Sequence, residues 1–176
     1  METFIEPREL VNNPGFEKQR QRTLADLTDD MIDAPIVSVV RELNNLPFCF
    51  TLQCCYGHFV YDGRWDQHNL DPLPASEKIS RVTYRIAYMA FCIDDCEAGR
   101  DLLDHLEHIT TLDPENIQFC SAGWFWSRQV NSYALQVEPD RFKHKDKAVL
   151  DYKEALYIEN LRNKFFPRLE KMLQDK

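Results

Sequence analysis

The stretch from Arg81 to Ile93 constrains this chain most. Val82, Tyr84, Ile86, Tyr88 and Ala90 fall on one side of an extended chain, and Thr83, Arg85, Ala87 and Met89 on the other, the period of two that defines a strand. A helical period takes over directly afterwards. Asp94 or Asp95 can cap it, with Glu97 three residues beyond Asp94 in a box-like position. Ala98, Leu102, Leu103, Leu106 and Ile109 supply the buried face, and Asp113-Pro114 closes the helix. A long strand passing straight into an amphipathic helix requires a sheet with helices packed on it.

The remaining pattern fits that frame. Asn13-Pro14-Gly15 reads as a turn after a short N-terminal strand or arm, and Phe16 to about Leu27 as a solvated helix. A second helix starts near Pro35 and carries Ile36, Val39, Val40 and Leu43 before ending at Asn44-Asn45. Phe48 to Leu52 is apolar on both faces and reads as a buried strand, with extended character resuming at Phe59-Val60-Tyr61. Residues 62–80 form a long loop, Ile117 to Cys120 and Ser132 to Val137 are strands, and Asp146 to Lys176 is a helix that Pro167 should kink or split. The expectation is one α+β domain over residues 1–176, a mixed or antiparallel sheet packed with helices, with a helical segment over about 1–46.

Charge narrows the function classes. The chain carries a net charge of −8, yet residues 139–176 hold ten Lys and Arg against seven Asp and Glu. A basic strip on an acidic body permits local phosphate contact and argues against an extended nucleic-acid footprint. Six cysteines lie partly inside apolar runs, the first residues lack the pattern of a secretory signal, and no window suits a membrane span. Reduced thiols and a cytoplasmic location follow as expectations. No Gly-x-Ser-x-Gly elbow, phosphate-binding Gly-rich loop or dinucleotide fingerprint occurs, so serine hydrolysis and nucleotide-driven phosphoryl transfer are set aside.

Three constellations remain. Cys54-Cys55-Tyr56-Gly57-His58 leads through Gly63-Arg64-Trp65 to His68; His58 could serve as base to either thiol, or the cluster could simply pack or touch a ligand. Its spacings match no standard zinc signature, and no metal ligand is assigned. Gly123 to Gln129, if extended, places Trp124 and Trp126 on one face with Arg128 next along it, a surface able to stack on a base or hold a phosphate, or to join a core or interface. Arg141, Lys143, Lys145 and Lys147 cluster ahead of the closing helix, where helix amides and lysines together suit an anion. Cys92 and Cys96, flanking Asp94-Asp95, read as strand end and helix start.

The order of these motifs resembles the wybutosine-synthesis tRNA methyltransferase family. The turn Cys54 to His58, the loop Gly63-Arg64-Trp65, the strand and helix from Arg81 to Thr111, and the closing Glu159-Asn160-Leu161-Arg162-Asn163-Lys164 carry the likeness. The resemblance implies a compact α+β fold, S-adenosylmethionine as cofactor and a nucleotide or tRNA base as substrate. The site would combine Gly57, Trp65, Trp126 and Arg128 around the cofactor, with His58 handling the proton and Arg141, Lys143, Lys145 and Lys147 receiving phosphates. The alternatives are a non-catalytic small-molecule or anion-binding module in the same pocket, or an assembly protein whose Trp and Tyr residues make an interface.

Overall fold

The computed structural model describes residues 4–76, 78–145 and 147–175. Two antiparallel sheets meet helices in an α+β architecture. The larger has strand order β1 (Cys49–Cys55), β4 (Ala87–Ile93), β6 (Ser132–Val137), β5 (Ile117–Ser121); the smaller runs β2 (His58–Val60), β3 (Arg81–Arg85), β7 (Lys147–Asp151). Helices α2 (Val37–Asn45), α3 (Glu97–His108) and α5 (Tyr152–Gln174) share one face with the main core. Helix α1 (Phe16–Asp26) lies on the opposite face, where Phe16 packs on Phe50 and Cys92. No helix among the described residues is long and apolar enough to cross a membrane.

The expected single strand Arg81–Ile93 is two strands in two sheets. Its alternation changes phase at Ile86: Val82 and Tyr84 face the core, and so do Ala87, Met89, Phe91 and Ile93. Tyr84 closes the break, its buried hydroxyl accepting from Ala87 N–H (2.9 Å) and donating to the Val137 carbonyl (3.0 Å). A side chain thus satisfies backbone groups that a regular ladder would have paired.

Strand β1 has its own irregularity. Thr51 pairs with Phe91 and Gln53 with Ala90, so Leu52 is an inserted residue. Such a bulge moves every later side chain to the other face. Cys54 therefore follows Met89 to the core side, and Cys55 follows Tyr88 to the opposite one. Without the bulge Cys55 would stand opposite Ala87 and face the core.

Three further expectations are corrected. Helix α3 is capped by Cys96, whose Sγ accepts from Gly99 N–H at 3.3 Å, and not by Asp94 or Asp95; Ala98 is exposed. Lys147–Asp151 is strand β7, with Ala148 and Leu150 inward and Val149 outward, and α5 begins only at Tyr152 under an Asp151 cap. Helix α5 continues through Pro167 without a second helix being formed. Asp146, the expected start of that helix, lies outside the described residues.

Candidate functional site

The face of the larger sheet that turns away from the main core is only partly covered. Small side chains, Ala90, Cys120 and Ala134, pack under Phe4, Leu52, Trp124 and Phe125. Beyond them the face opens into a cleft of about 390 Å³. Gln53, Tyr88, Gln136 and Glu138 stand on its sheet side, and Arg85, Lys143 and Lys145 on its rim. The Gln136 amide donates to the buried Glu138 carboxylate at 2.6 Å. Trp124 also lines the cleft; its indole N–H is buried and has no hydrogen-bond partner among the described residues.

Cys55, His58 and Asp33 converge at one end. The turn between β1 and β2 demands Gly57, whose φ of +89° is unfavourable for other residues and whose added Cβ would lie 2.8 Å from that of Ala87. This turn swings His58 inward, where only 2% of its surface remains exposed. Its Nδ1 lies 3.2 Å from the Asn69 carbonyl and its Nε2 3.3 Å from Asp33 Oδ2. Oxygen acceptors at both ring nitrogens hold the imidazolium. The Asp33 hydrogen bond, then that of Cys55, raise the His58 pKa to about 10 against the opposing pull of burial. For Asp33, burial alone would raise the pKa, but bonds from His58 and from the Tyr56 N–H (2.7 Å) outweigh it and hold the carboxyl below its ordinary value. Cys55 Sγ accepts from Gly57 N–H at 3.4 Å. Burial, then the neighbouring Asp33 and Cys55, push the Cys54 thiol up to about 12, so this thiol is not a nucleophile at neutral pH.

Helix α5 braces the turn from behind. Arg162, 3% exposed, donates to the Gly57 carbonyl at 2.8 Å and lies over the rings of Tyr56 and Phe59. Asn163 accepts from the Tyr56 hydroxyl at 2.9 Å, and Glu159 accepts from Leu73 N–H at 2.9 Å, tying down the long loop.

The sequence-derived site residues divide accordingly. His58, His68, Lys143 and Lys145 reach the cleft with Cys54 and Cys55, and Trp124 brings the second aromatic segment to it. Gly57 shapes the turn. Trp65 is 71% exposed and is not among the cleft residues. Gly123–Trp126 is a short helix, α4, and not an extended ribbon, so Trp124 and Trp126 separate; Trp126 packs edge-on to Tyr133 beneath Arg8. Arg128 is exposed and lies over Phe125. In the basic strip Arg141 is engaged by Glu154, Lys143 pairs with Asp140 at 3.0 Å, and Lys147 begins β7. No helix N-terminus follows these lysines directly, so the combined amide-and-lysine anion site is corrected. Asp33, Arg85 and Glu138 also line the cleft, and no local spacing marks any of them as a site residue.

No protein-family model matches the chain, and no curated protein is significantly similar to it. Among solved structures the chain is similar to the "Structure of PH1069 protein from Pyrococcus horikoshii", with 12% identity, a TM-score of 0.45, and coverage of 92% of this chain and 91% of that one. Neither fold nor function is transferred across so distant a match.

Topology corrects the expectation of S-adenosylmethionine-dependent modification. Both sheets are antiparallel and unclosed. Among the described strands no parallel pair forms the carboxyl-end crevice in which doubly wound proteins hold such cofactors. The reading as S-adenosylmethionine-dependent modification of a nucleotide or tRNA base, with its methyltransferase-like and RNA-modifying character, is withdrawn on that ground.

Proposed function

We propose that the chain is a binding module for a small anionic molecule with a flat apolar part, received in the cleft on the open face of the larger sheet. One observation carries the reading: on a chain of net charge −8, the described residues lining the cleft set Arg85, Lys143, Lys145 and the His58 imidazolium against two carboxylates, Asp33 and Glu138, with Asp140 beside Lys143 just outside the lining. A concave site lined by excess positive charge focuses the field on an anion. Phe4, Met31 and Trp124 supply an apolar wall beside the cations, and the Trp124 N–H, without a partner among the described residues, supplies a donor. The rest of the lining is mostly polar, with Gln53, Tyr88 and Gln136 able to orient a ligand by hydrogen bonds.

Calorimetric titration with phenyl phosphate and benzoate, against phenol as the uncharged counterpart, tests this. The anions should bind and phenol should not. Arg85→Ala or Lys145→Ala should weaken anion binding about tenfold, the worth of one charged hydrogen bond. Equal binding of phenol, or anion affinity unchanged in both variants, would refute the reading.

A further inference from the structure

We propose that Asp33, Cys55 and His58 form a binding site for a zinc-class divalent cation, with one coordination position turned toward the cleft. Among the described residues these three bring one ligand atom each, a carboxylate oxygen, a thiol sulfur and an imidazole nitrogen, all within 4.8 Å of one another. Nitrogen, sulfur and carboxylate oxygen are the donors that zinc takes, and three protein ligands with an open fourth position are characteristic of its accessible sites.

The geometry is specific. His58 Nε2 and Asp33 Oδ2 stand 3.3 Å apart. Two such ligands on a tetrahedral ion, each at about 2.0 Å from it, are separated by about 3.3 Å. The sulfur would stand about 3.6 Å from the nitrogen in the same shell; turning the Cys55 side chain closes what remains. Binding replaces the Nε2 proton and the thiol proton, both released to solvent, so a dication takes the place of two protons and the local charge is unchanged. The site therefore stands independently of the anion-binding reading.

Each ligand is also oriented by a backbone group, as metal ligands require. The Asn69 carbonyl faces Nδ1 at 3.2 Å, which leaves Nε2 as the ligating nitrogen. Tyr56 N–H aims the Asp33 carboxylate at 2.7 Å, and Gly57 N–H reaches Cys55 Sγ at 3.4 Å. Two ligands come from a Cys-x-x-His turn whose shape is fixed by the positive φ of Gly57, while the bulge in β1 decides that Cys55, and not Cys54, points to the ion. Asp33 arrives from the segment ahead of α2, which is why no spacing rule finds the set. His68 lines the cleft with its ring 6.1 Å from that of His58, beside the open position.

Cobalt(II) titration of the EDTA-stripped full chain at about pH 8 reads the three ligands directly. One equivalent should bind, with a thiolate-to-cobalt charge-transfer band and the visible bands of a tetrahedral ion, and zinc should displace it. Cys55→Ser should abolish the charge-transfer band, Asp33→Asn should weaken binding at least tenfold, and Cys54→Ser should leave both unchanged. Circular dichroism identifies variants that keep the native fold; the near-isosteric Asp33→Asn gives a second reading should Cys55→Ser lose it. Absence of saturable cobalt uptake, a band that survives Cys55→Ser, or one lost in Cys54→Ser would overturn the proposal.

Discussion

Raising the pH from 6.5 to 9 should destabilise the metal-free protein by about 3 kcal/mol through His58 alone. The folded pKa is about 10 against an ordinary value of 6.5. A group whose pKa is raised by folding stabilises fully below its unfolded value and loses that contribution as pH climbs toward the folded one. Between those limits the unfolded chain is neutral at this ring while the folded chain keeps its proton, so the slope approaches −1.36 kcal/mol per pH unit. The window is diagnostic. The buried thiols Cys54 and Cys92, both pushed up to about 12 by burial, start from a reference of 9.0, so their own losses begin where this window ends. Asp33, held below its ordinary 3.8, acts on the acid side, its contribution lost as pH falls through its folded pKa. Urea titrations every half unit from pH 6 to 9, in EDTA at constant ionic strength, give the curve. Asp33→Asn removes the largest cause of the shift and should flatten the slope by half or more, and His58→Gln should remove it. A stability constant from pH 6.5 to 9, or a wild-type slope surviving both substitutions, would refute the assignment of a held imidazolium.

Two substitutions test the packing that positions the site. Gly99→Ala places a Cβ 2.1 Å from the Asp94 carbonyl oxygen and 3.0 Å from Ile93 Cγ2, so it should cost about 2–3 kcal/mol in urea denaturation; a loss under about 0.5 kcal/mol would show that α3 does not start so close to β4. Tyr84→Phe strips partners from the Ala87 N–H and the Val137 carbonyl and should cost about 2–3 kcal/mol; a neutral result would mean that the two backbone groups find other partners.

Local periodicity made most elements legible and failed where tertiary contacts intervened. Ser132–Val137 and the helix from Glu97 carried patterns strong enough to be read alone. Arg81–Ile93 misled because aromatic and small residues alternate plausibly in either phase; only the Tyr84 hydroxyl, bridging two distant backbone groups, shows where the phase turns over. Lys147–Asp151 joined the closing helix because Ala148 and Leu150 suit a helix as well as a strand, and its pairing partner, β3, lies more than sixty residues away. Within the site, the Cys54–His58 turn was visible as chemistry-bearing residues beside a glycine. The choice of thiol was not, since it depends on one inserted residue in β1. Asp33 belongs to no local pattern, and nothing in the closing helix shows that Arg162 reaches the Gly57 carbonyl or that Glu159 holds the Leu73 loop; those contacts are tertiary.

The Arg162–Gly57 hydrogen bond spans 105 residues of chain. During synthesis, Cys55 and His58 leave the ribosome long before the guanidinium that steadies the peptide between them. A contact of such sequence separation forms late, after the entropy of closing the intervening chain has been met. The nascent chain thus carries Cys55 and His58 without this brace until helix α5 has been made and has docked on the turn.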